Sequence, residues 1–422
     1  MPDFAVFLVM VAVFLVAAAL LKLPIGVCLM AAAVAGALAG GEGIPVRHLI
    51  EGSFGFFDVL LIILTAILFM NVLKAAGVLD SLAAGLLRVF YRRKALLLLT
   101  STLLVMFPGM ITGSSTAAVL TSGPLVAPVL MKLGLPRLKT GALVAMAAVL
   151  GMIAPPVNIL VMIMGGGVDM PYVGVAAPLL LIVVPLAMII PLWIGLRDIQ
   201  VVGAEEMRAL LPESHFAKYG LRLYAPLVLV IGLMLGQRLI VKVMPDPGLP
   251  GIFLAGSLLG TVSGRRFNFW NTTAKAVEEA MPILMILAGV GMFIQVMTLT
   301  GARGWIVLVF LSLPAGLLYA AIALGMPVFG GISAFGASSI LGVPFILALI
   351  SRNAILTSTA LSAIVGLGDL IPPAALAGRF AGQVVGEAGF LKILRYCLVP
   401  ALMVLAAGLA VLIFAPFLDK FL

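Results

Sequence analysis

Oxygen-bearing side chains gather at four places in this sequence where the backbone is also set to break. Gly113-Ser114-Ser115-Thr116 interrupts one apolar run, and Pro155-Pro156 followed by Asn158 interrupts the next. In the second half, Ser333 stands in a glycine-rich break with Ser338 and Ser339 just beyond it, and Gly368-Asp369 precedes Pro372-Pro373. Hydroxyl, amide and carboxylate oxygens are the ligands a hard cation takes. Each proline removes an N–H and clashes with the carbonyl four residues earlier, so carbonyl oxygens are released at the same places. An ionisable side chain inside an apolar span is costly and functional by default, which singles out Asp369 as a sodium ligand or a proton carrier. The candidates for an ion site are therefore Gly113, Ser114, Ser115, Pro155, Asn158, Ser333, Gly368, Asp369 and Pro372.

An anionic ligand would need positive potential, and no Lys or Arg falls in the middle of a clear span. Helix N-termini at the breaks can supply it through free N–H groups, and Arg352 and Arg379 lie near the ends of the last broken run. Thr116, Asn158, Ser338, Ser339 and Arg379 are the candidates for substrate contact. The plainer reading of each is a hydroxyl bonded back to its own helix, or a basic anchor at the membrane surface.

The elements that must position these groups are helices. The chain has 422 residues, 64% of them hydrophobic and only 10% charged, with apolar runs of about 20 residues throughout. That length spans the hydrocarbon of a bilayer as a helix, and strand-like alternation is absent, so an all-α integral membrane protein is expected and an outer-membrane barrel is not. The basic groups Arg88, Arg92, Arg93, Lys94 and Lys132, Arg137, Lys139 bracket the run 95–131 at both ends and place both ends in the cytoplasm. A re-entrant hairpin turning at 109–116 satisfies both; a pair of full spans is the alternative. Residues 140–165 then form a helix broken at Pro155-Pro156. The polar stretch 197–221 is the expected cytoplasmic linker. The second half repeats the plan, with spans near 222–241, 250–263 and 276–299, a hairpin within 305–350, a broken helix over 353–378 and a last span. Basic clusters start the second half inside and the first outside. The expectation is two inverted repeats, 1–196 and 222–422, each with a hairpin and a Pro-Pro-broken helix, the usual build of a secondary transporter's binding site.

Other chemistries find less support. Cys28 and Cys397 sit in separate apolar runs, His48 and His215 in separate loops, so no transition-metal site is expected. The charge of +9 fits basic cytoplasmic loops better than nucleic acid. The first run, 4–21, lacks a basic leader and a cleavage site and is expected to be a retained helix. Gly366-Leu367-Gly368-Asp369 has the form of the Gly-x-Gly-Asp signature of intramembrane aspartyl proteases. That chemistry needs a second carboxylate sharing a proton, and Asp58 after Phe57 is a poor match. A channel would also use re-entrant loops, although paired breaks favour alternating access.

The motifs resemble a known family. Gly113-Ser114-Ser115-Thr116-Ala117-Ala118 with Gly123-Pro124 and Pro128, Gly134, and Gly151 through Pro156 are similar to the large membrane subunit of the tripartite ATP-independent periplasmic (TRAP) transporters, within the broader ion-transporter superfamily. The runs from Phe54 through Asn71 to Gly77-Val78, and Val277 to Gly301, fit as well. The second half departs more: where the family has an acidic residue after Gly-Met, this chain reads Gly325-Met326-Pro327, and Asp369 stands where a neutral residue is commoner. The resemblance implies an elevator-type importer in a bacterial inner membrane. Sodium would drive uptake of a dicarboxylate or sugar acid brought by a periplasmic binding protein, with a separate small membrane subunit and no cofactor. A stand-alone sodium- or proton-coupled organic-anion carrier is the competing expectation.

Overall fold

The computed structural model describes residues 1–200, 203–239 and 247–420, and no strand occurs among them. The first half runs α1 (Asp3–Leu15, continued by a π-helical stretch Val16–Leu20), α2 (Ile25–Gly40), α3 (Val46–Phe54), α4 (Phe57–Ala75) and α5 (Val78–Phe90). It continues with α6 (Lys94–Thr112), α7 (Ser115–Lys132), α8 (Arg137–Ile153), α9 (Ile159–Gly166) and α10 (Ala176–Gly195). Two short helices, α11 (Ala204–Leu210) and α12 (Phe216–Tyr219), and a 3-10 turn Gly220–Tyr224 form the connection. The second half holds α13 (Ala225–Leu239), α14 (Gly248–Ser263), α15 (Phe269–Leu299), α16 (Ala302–Ser312) and α17 (Ala315–Gly330). Then come α18 (Ala334–Ala337), a π-helical stretch Ser338–Gly342, α19 (Val343–Ala348), α20 (Ala354–Gly366), a 3-10 turn Leu367–Leu370, α21 (Leu376–Val385) and α22 (Phe390–Leu418). Among the described residues seven helices are long and apolar enough to cross a membrane. The chain is a multi-pass membrane protein.

The run 305–350, expected as one hairpin, is three pieces. Leu313-Pro314 ends α16, which packs as a separate arm on α1, α15 and α19, and the hairpin itself is α17 with α18–α19. The reason is Pro314: with φ −54 and ψ 144 it cannot continue the preceding helix but starts the next. In the first half the corresponding arm, α5, is separated from α6 by Tyr91 and the basic pair Arg92-Arg93. The last broken helix also runs further than 378, to Val385. The expected end of a span at 241, and residues 201–202 of the linker, lie outside the described residues.

The buried apolar side chains fall into two main bodies. One is built from α6–α8, α10 and α17–α22, with Leu98, Val126, Val144, Ile322, Leu361 and Val404 in its interior. The other is built from α1–α4 and α13–α16, around Phe14, Leu29, Phe69, Phe253 and Phe293. Lipid offers no hydrophobic drive to press helices together, so close contact rests on small residues. A β-carbon on Gly26 would lie 2.5 Å from the Met285 carbonyl oxygen, and one on Gly52 would lie 2.6 Å from that of Gly291. These two glycines let α2 and α3 lie against the long α15. The two first-half breaks sit where the two bodies meet: Ile111, Val157, Ile159 and Ile163 leave the first body's interior to pack into the second.

Candidate functional site

Four helices restart beside the breaks, at α7, α9, α18 and α21, and side-chain caps explain the first three. Gly113 ends α6 at φ +65, a conformation that favours glycine. Ser114 then caps α7 by accepting from the Ala117 N–H at 3.3 Å. Asn158 caps α9, its Oδ1 accepting from Val161 N at 3.0 Å, and Ser333 caps α18, accepting from Gly336 N at 3.1 Å. Such caps satisfy N–H groups that have no partner within the helix. The fourth start, at α21, has no side-chain cap; its N-cap Ala375 is left-handed at φ 42.

Each Pro-Pro break is tied to the hairpin of its own half. Val157 N donates to the Met110 carbonyl at 3.1 Å, and Ala374 N donates to that of Gly331 at 2.9 Å. Backbones touch at matched glycines: a β-carbon on Gly151 would lie 2.5 Å from Met106 O, and one on Gly368 would lie 2.3 Å from the Gly330 carbonyl carbon. Both Pro155-Pro156 and Pro372-Pro373 are cis. Pro156 leaves the Met152 carbonyl without its helical donor, and Pro373 does the same to Asp369.

The decisive contact crosses between the halves. Ser115, the first residue of α7, donates its Oγ–H to Asp369 Oδ2. Asp369 is only 7% exposed, and no Lys or Arg among the described residues pairs with it. Its carboxylate therefore rests on one hydroxyl and on the N-terminus of α7, a favourable position for negative charge. Asp58, the candidate second carboxylate, is exposed at the start of α4, whereas Asp369 is buried against Ser115.

The other candidates are placed as follows. Gly113 and Pro155 are buried and Thr116 is half-buried beside Ser115. Asn158 is fully buried and spends its amide on the Ile153 carbonyl (2.9 Å) and on Ser362 Oγ (3.1 Å). Ser338 and Ser339 are buried, and their hydroxyls donate to the Ala334 and Gly336 carbonyls of their own turn. Pro372 and Arg379 are exposed; Arg379 Nη2 donates to the Pro373 carbonyl at 2.6 Å and its guanidinium lies over the Phe390 ring. Arg352 is a staple instead, donating to Leu412 O and Tyr319 Oη.

Two partners were not singled out from the sequence. Tyr172 Oη donates to the Pro156 carbonyl and accepts from Asn158 N, both at 3.0 Å, and nothing in its spacing announced it. Ser362 had a signal, the hydroxyl-rich run Thr357-Ser358-Thr359 on the same apolar helix.

The comparisons agree with this architecture. The family model described as tripartite ATP-independent periplasmic transporter, DctM component, matches residues 9–418. The fold is similar to that of the YdaH transporter of Alcanivorax borkumensis at a TM-score of 0.62 and 18% identity, covering 88% of this chain and 89% of that one. It is also similar to MtrF of Neisseria gonorrhoeae, described as illuminating a class of antimetabolite efflux pumps, at a TM-score of 0.61 and 16% identity, covering 87% of this chain and 83% of that one. A search among curated proteins returns no match.

Proposed function

We propose a function on the premise that the chain belongs to the DctM family of tripartite ATP-independent periplasmic transporters, whose members are the large membrane component of a secondary transporter. The reading is sodium-coupled import of a small organic anion, of the dicarboxylate or sugar-acid class, across a bacterial inner membrane. A periplasmic binding protein would deliver the substrate, and a small membrane subunit would flank the permease.

The Ser115–Asp369 contact carries this reading. It brings a buried carboxylate and a hydroxyl together beside the second Pro-Pro break, and oxygen ligands of this kind beside broken helices support a sodium site. The same contact suggests how cation and anion are coupled. A substrate carboxylate held at Thr116, next to Ser115 on the first turn of α7, would lie close to the Asp369 charge. Two like charges ~8 Å apart at an effective dielectric of about 20 repel by roughly 2 kcal/mol, or about thirtyfold in affinity. Sodium at Asp369 removes that repulsion, so the anion binds well only to the loaded site. The anion would be held by Thr116, by the uncapped N–H groups at the start of α21 and by Arg379.

Two separate apolar bodies fit an elevator mechanism, in which the body of hairpins and broken helices moves against the body of α1–α4 and α13–α16 as inverted halves exchange roles. Uptake in proteoliposomes tests the whole reading. Accumulation of an organic acid under an imposed inward sodium gradient, with the cognate binding protein present, is the expected result. Uptake that ignores sodium and follows a proton gradient would overturn the coupling ion, and uptake without any binding protein would favour a stand-alone carrier.

A further inference from the structure

Away from the breaks, the junction of the linker with α13 and α14 encloses a cavity of about 620 Å³ lined by Lys218, Tyr219, Arg222, Thr261, Arg265 and Arg266. Among the described residues none of the four cations forms an ion pair with a carboxylate. Basic residues at the cytoplasmic end of a span are ordinary; four of them around one concave space, with no ion-paired carboxylate, are not. Arg222 is held in place by donating Nη2 to the Val262 carbonyl, and Arg265 by its N–H to the Ala76 carbonyl. Lys218 lies over the Tyr219 ring. Asp80 feels Arg265 electrostatically but does not bond to it.

Exposed apolar side chains flank the cavity. Val262, part of its lining, begins a stripe with Leu258 and Leu254 on α14, and Leu221, next to Arg222, begins one with Val228 and Ile231 toward α13. All six are exposed, Leu221 at 80%. We infer that this cavity is a binding site for the phosphodiester headgroup of an anionic phospholipid of the cytoplasmic leaflet, with its acyl chains along the α13–α14 stripes. Basic pockets between helices on this side of a membrane recognise such headgroups by charge. The apolar stripes at the rim select a lipid over a free phosphate. The site belongs to the body that does not contain the breaks, so its occupancy stands or falls independently of the transported substrate.

The test is a titration of delipidated protein in detergent with phosphatidylglycerol, phosphatidylcholine or inorganic phosphate, read by melting temperature and by lipid adducts in native mass spectrometry. Phosphatidylglycerol is expected to raise the melting temperature and to form adducts; the other two are not. Each charge removed should weaken binding about fivefold, so R265Q/R266Q and K218Q/R222Q each lose roughly 25-fold. The control R92Q/R93Q, basic residues outside the cavity, should lose nothing. Should a double variant not fold, the single variant R266Q carries the fivefold comparison. Equal protection by phosphatidylcholine, saturation by inorganic phosphate, or an equal loss in R92Q/R93Q would each overturn the site.

Discussion

Replacing Asp369 by Asn separates charge from shape at the centre of the proposed site. The amide keeps the size of the carboxylate and still offers an oxygen to Ser115 Oγ, so the link between α7 and the second break survives. What disappears is a buried negative charge without a cationic partner among the described residues. Such a charge costs several kcal/mol even after relaxation. One charge-assisted hydrogen bond returns about 1.5–3 kcal/mol, and the end of α7 returns at most ~2 kcal/mol. With mid-range returns of about 3 kcal/mol together, the ion-free protein carries an uncompensated burden of order 1 kcal/mol that sodium would relieve.

Two results follow for D369N. In choline medium its melting temperature should equal or exceed that of the parent, although a hydrogen-bonded core group has been changed. In the parent, sodium at 100 times its dissociation constant should add about 2.7 kcal/mol by mass action. At this chain length that is a rise of roughly 3–5 °C, and D369N should lose most of it. In proteoliposomes the half-saturating sodium concentration should rise by about a hundredfold, corresponding to ~2.7 kcal/mol. Ser115→Ala should raise it by about tenfold, and the double variant should show less than the product of the two effects, because the residues share one contact. A D369N protein that keeps the full sodium-dependent shift in melting temperature would refute the assignment, whatever its transport rate.

Other substitutions test the supporting structure. Gly368→Ala pushes a methyl to 2.3 Å from the Gly330 backbone and Gly151→Ala to 2.5 Å from Met106 O, so both should lower the melting temperature by several degrees and abolish uptake. Gly304→Ala, with open space around it, should do neither. Asn158→Asp keeps the cap on α9 but loses the donors to Ile153 and Ser362, and should cost stability and raise half-saturating sodium; Asn158→Ala should cost about 1 kcal/mol more for the lost cap. Arg379→Ala should raise the substrate KM about tenfold with kcat little changed, and Arg379→Lys should recover part of it; an unchanged KM in Arg379→Ala would confine this residue to holding the Pro373 carbonyl.

Most of the helix pattern was legible because apolar runs and helix breakers are local signals. Gly113 and the two Pro-Pro pairs fix where helices stop whatever their neighbours do, and the basic groups around 88–94 and 132–139 lie at the ends of the helix pair α6–α7. The arm α16 was missed because its separation from α17 rests on one proline, Pro314, in the apolar stretch before Gly325, and prolines are tolerated inside helices elsewhere in this chain, as at Pro124 and Pro128. The site residues were legible by type but not by role. Ser114, Asn158 and Ser333 attracted notice as cation ligands, yet each directs its oxygen at the start of its own helix. A polar residue beside a break looks the same in sequence whether it caps or ligates. The partnership of Ser115 with Asp369 joins positions 254 apart, and no periodicity carries information over that range.

The same contact argues that the two halves are not equivalent in function. Aligned on their Pro-Pro pairs, Met152 in the first half stands opposite Asp369 in the second, and Asn158 stands opposite Ala375. The first break has a cap at its restart and no charge; the second has a charge and no cap. An uncapped start leaves N–H groups free beside the exposed Pro372-Pro373, and Arg379, one turn into α21, adds positive charge there. The carboxylate, by contrast, is turned inward to the first hairpin. Positive potential thus lies at the mouth of the second break and negative potential in its buried interior, which separates an anion from a cation along one element. Exchanging the pair, with Met at 369 and Asp at 152, would keep composition and symmetry but place the charge away from Ser115. If the separation of charges along the second break is what couples the two ligands, that exchange should fold and bind the anion without sodium dependence. A variant that folds and still requires sodium would place the coupling elsewhere.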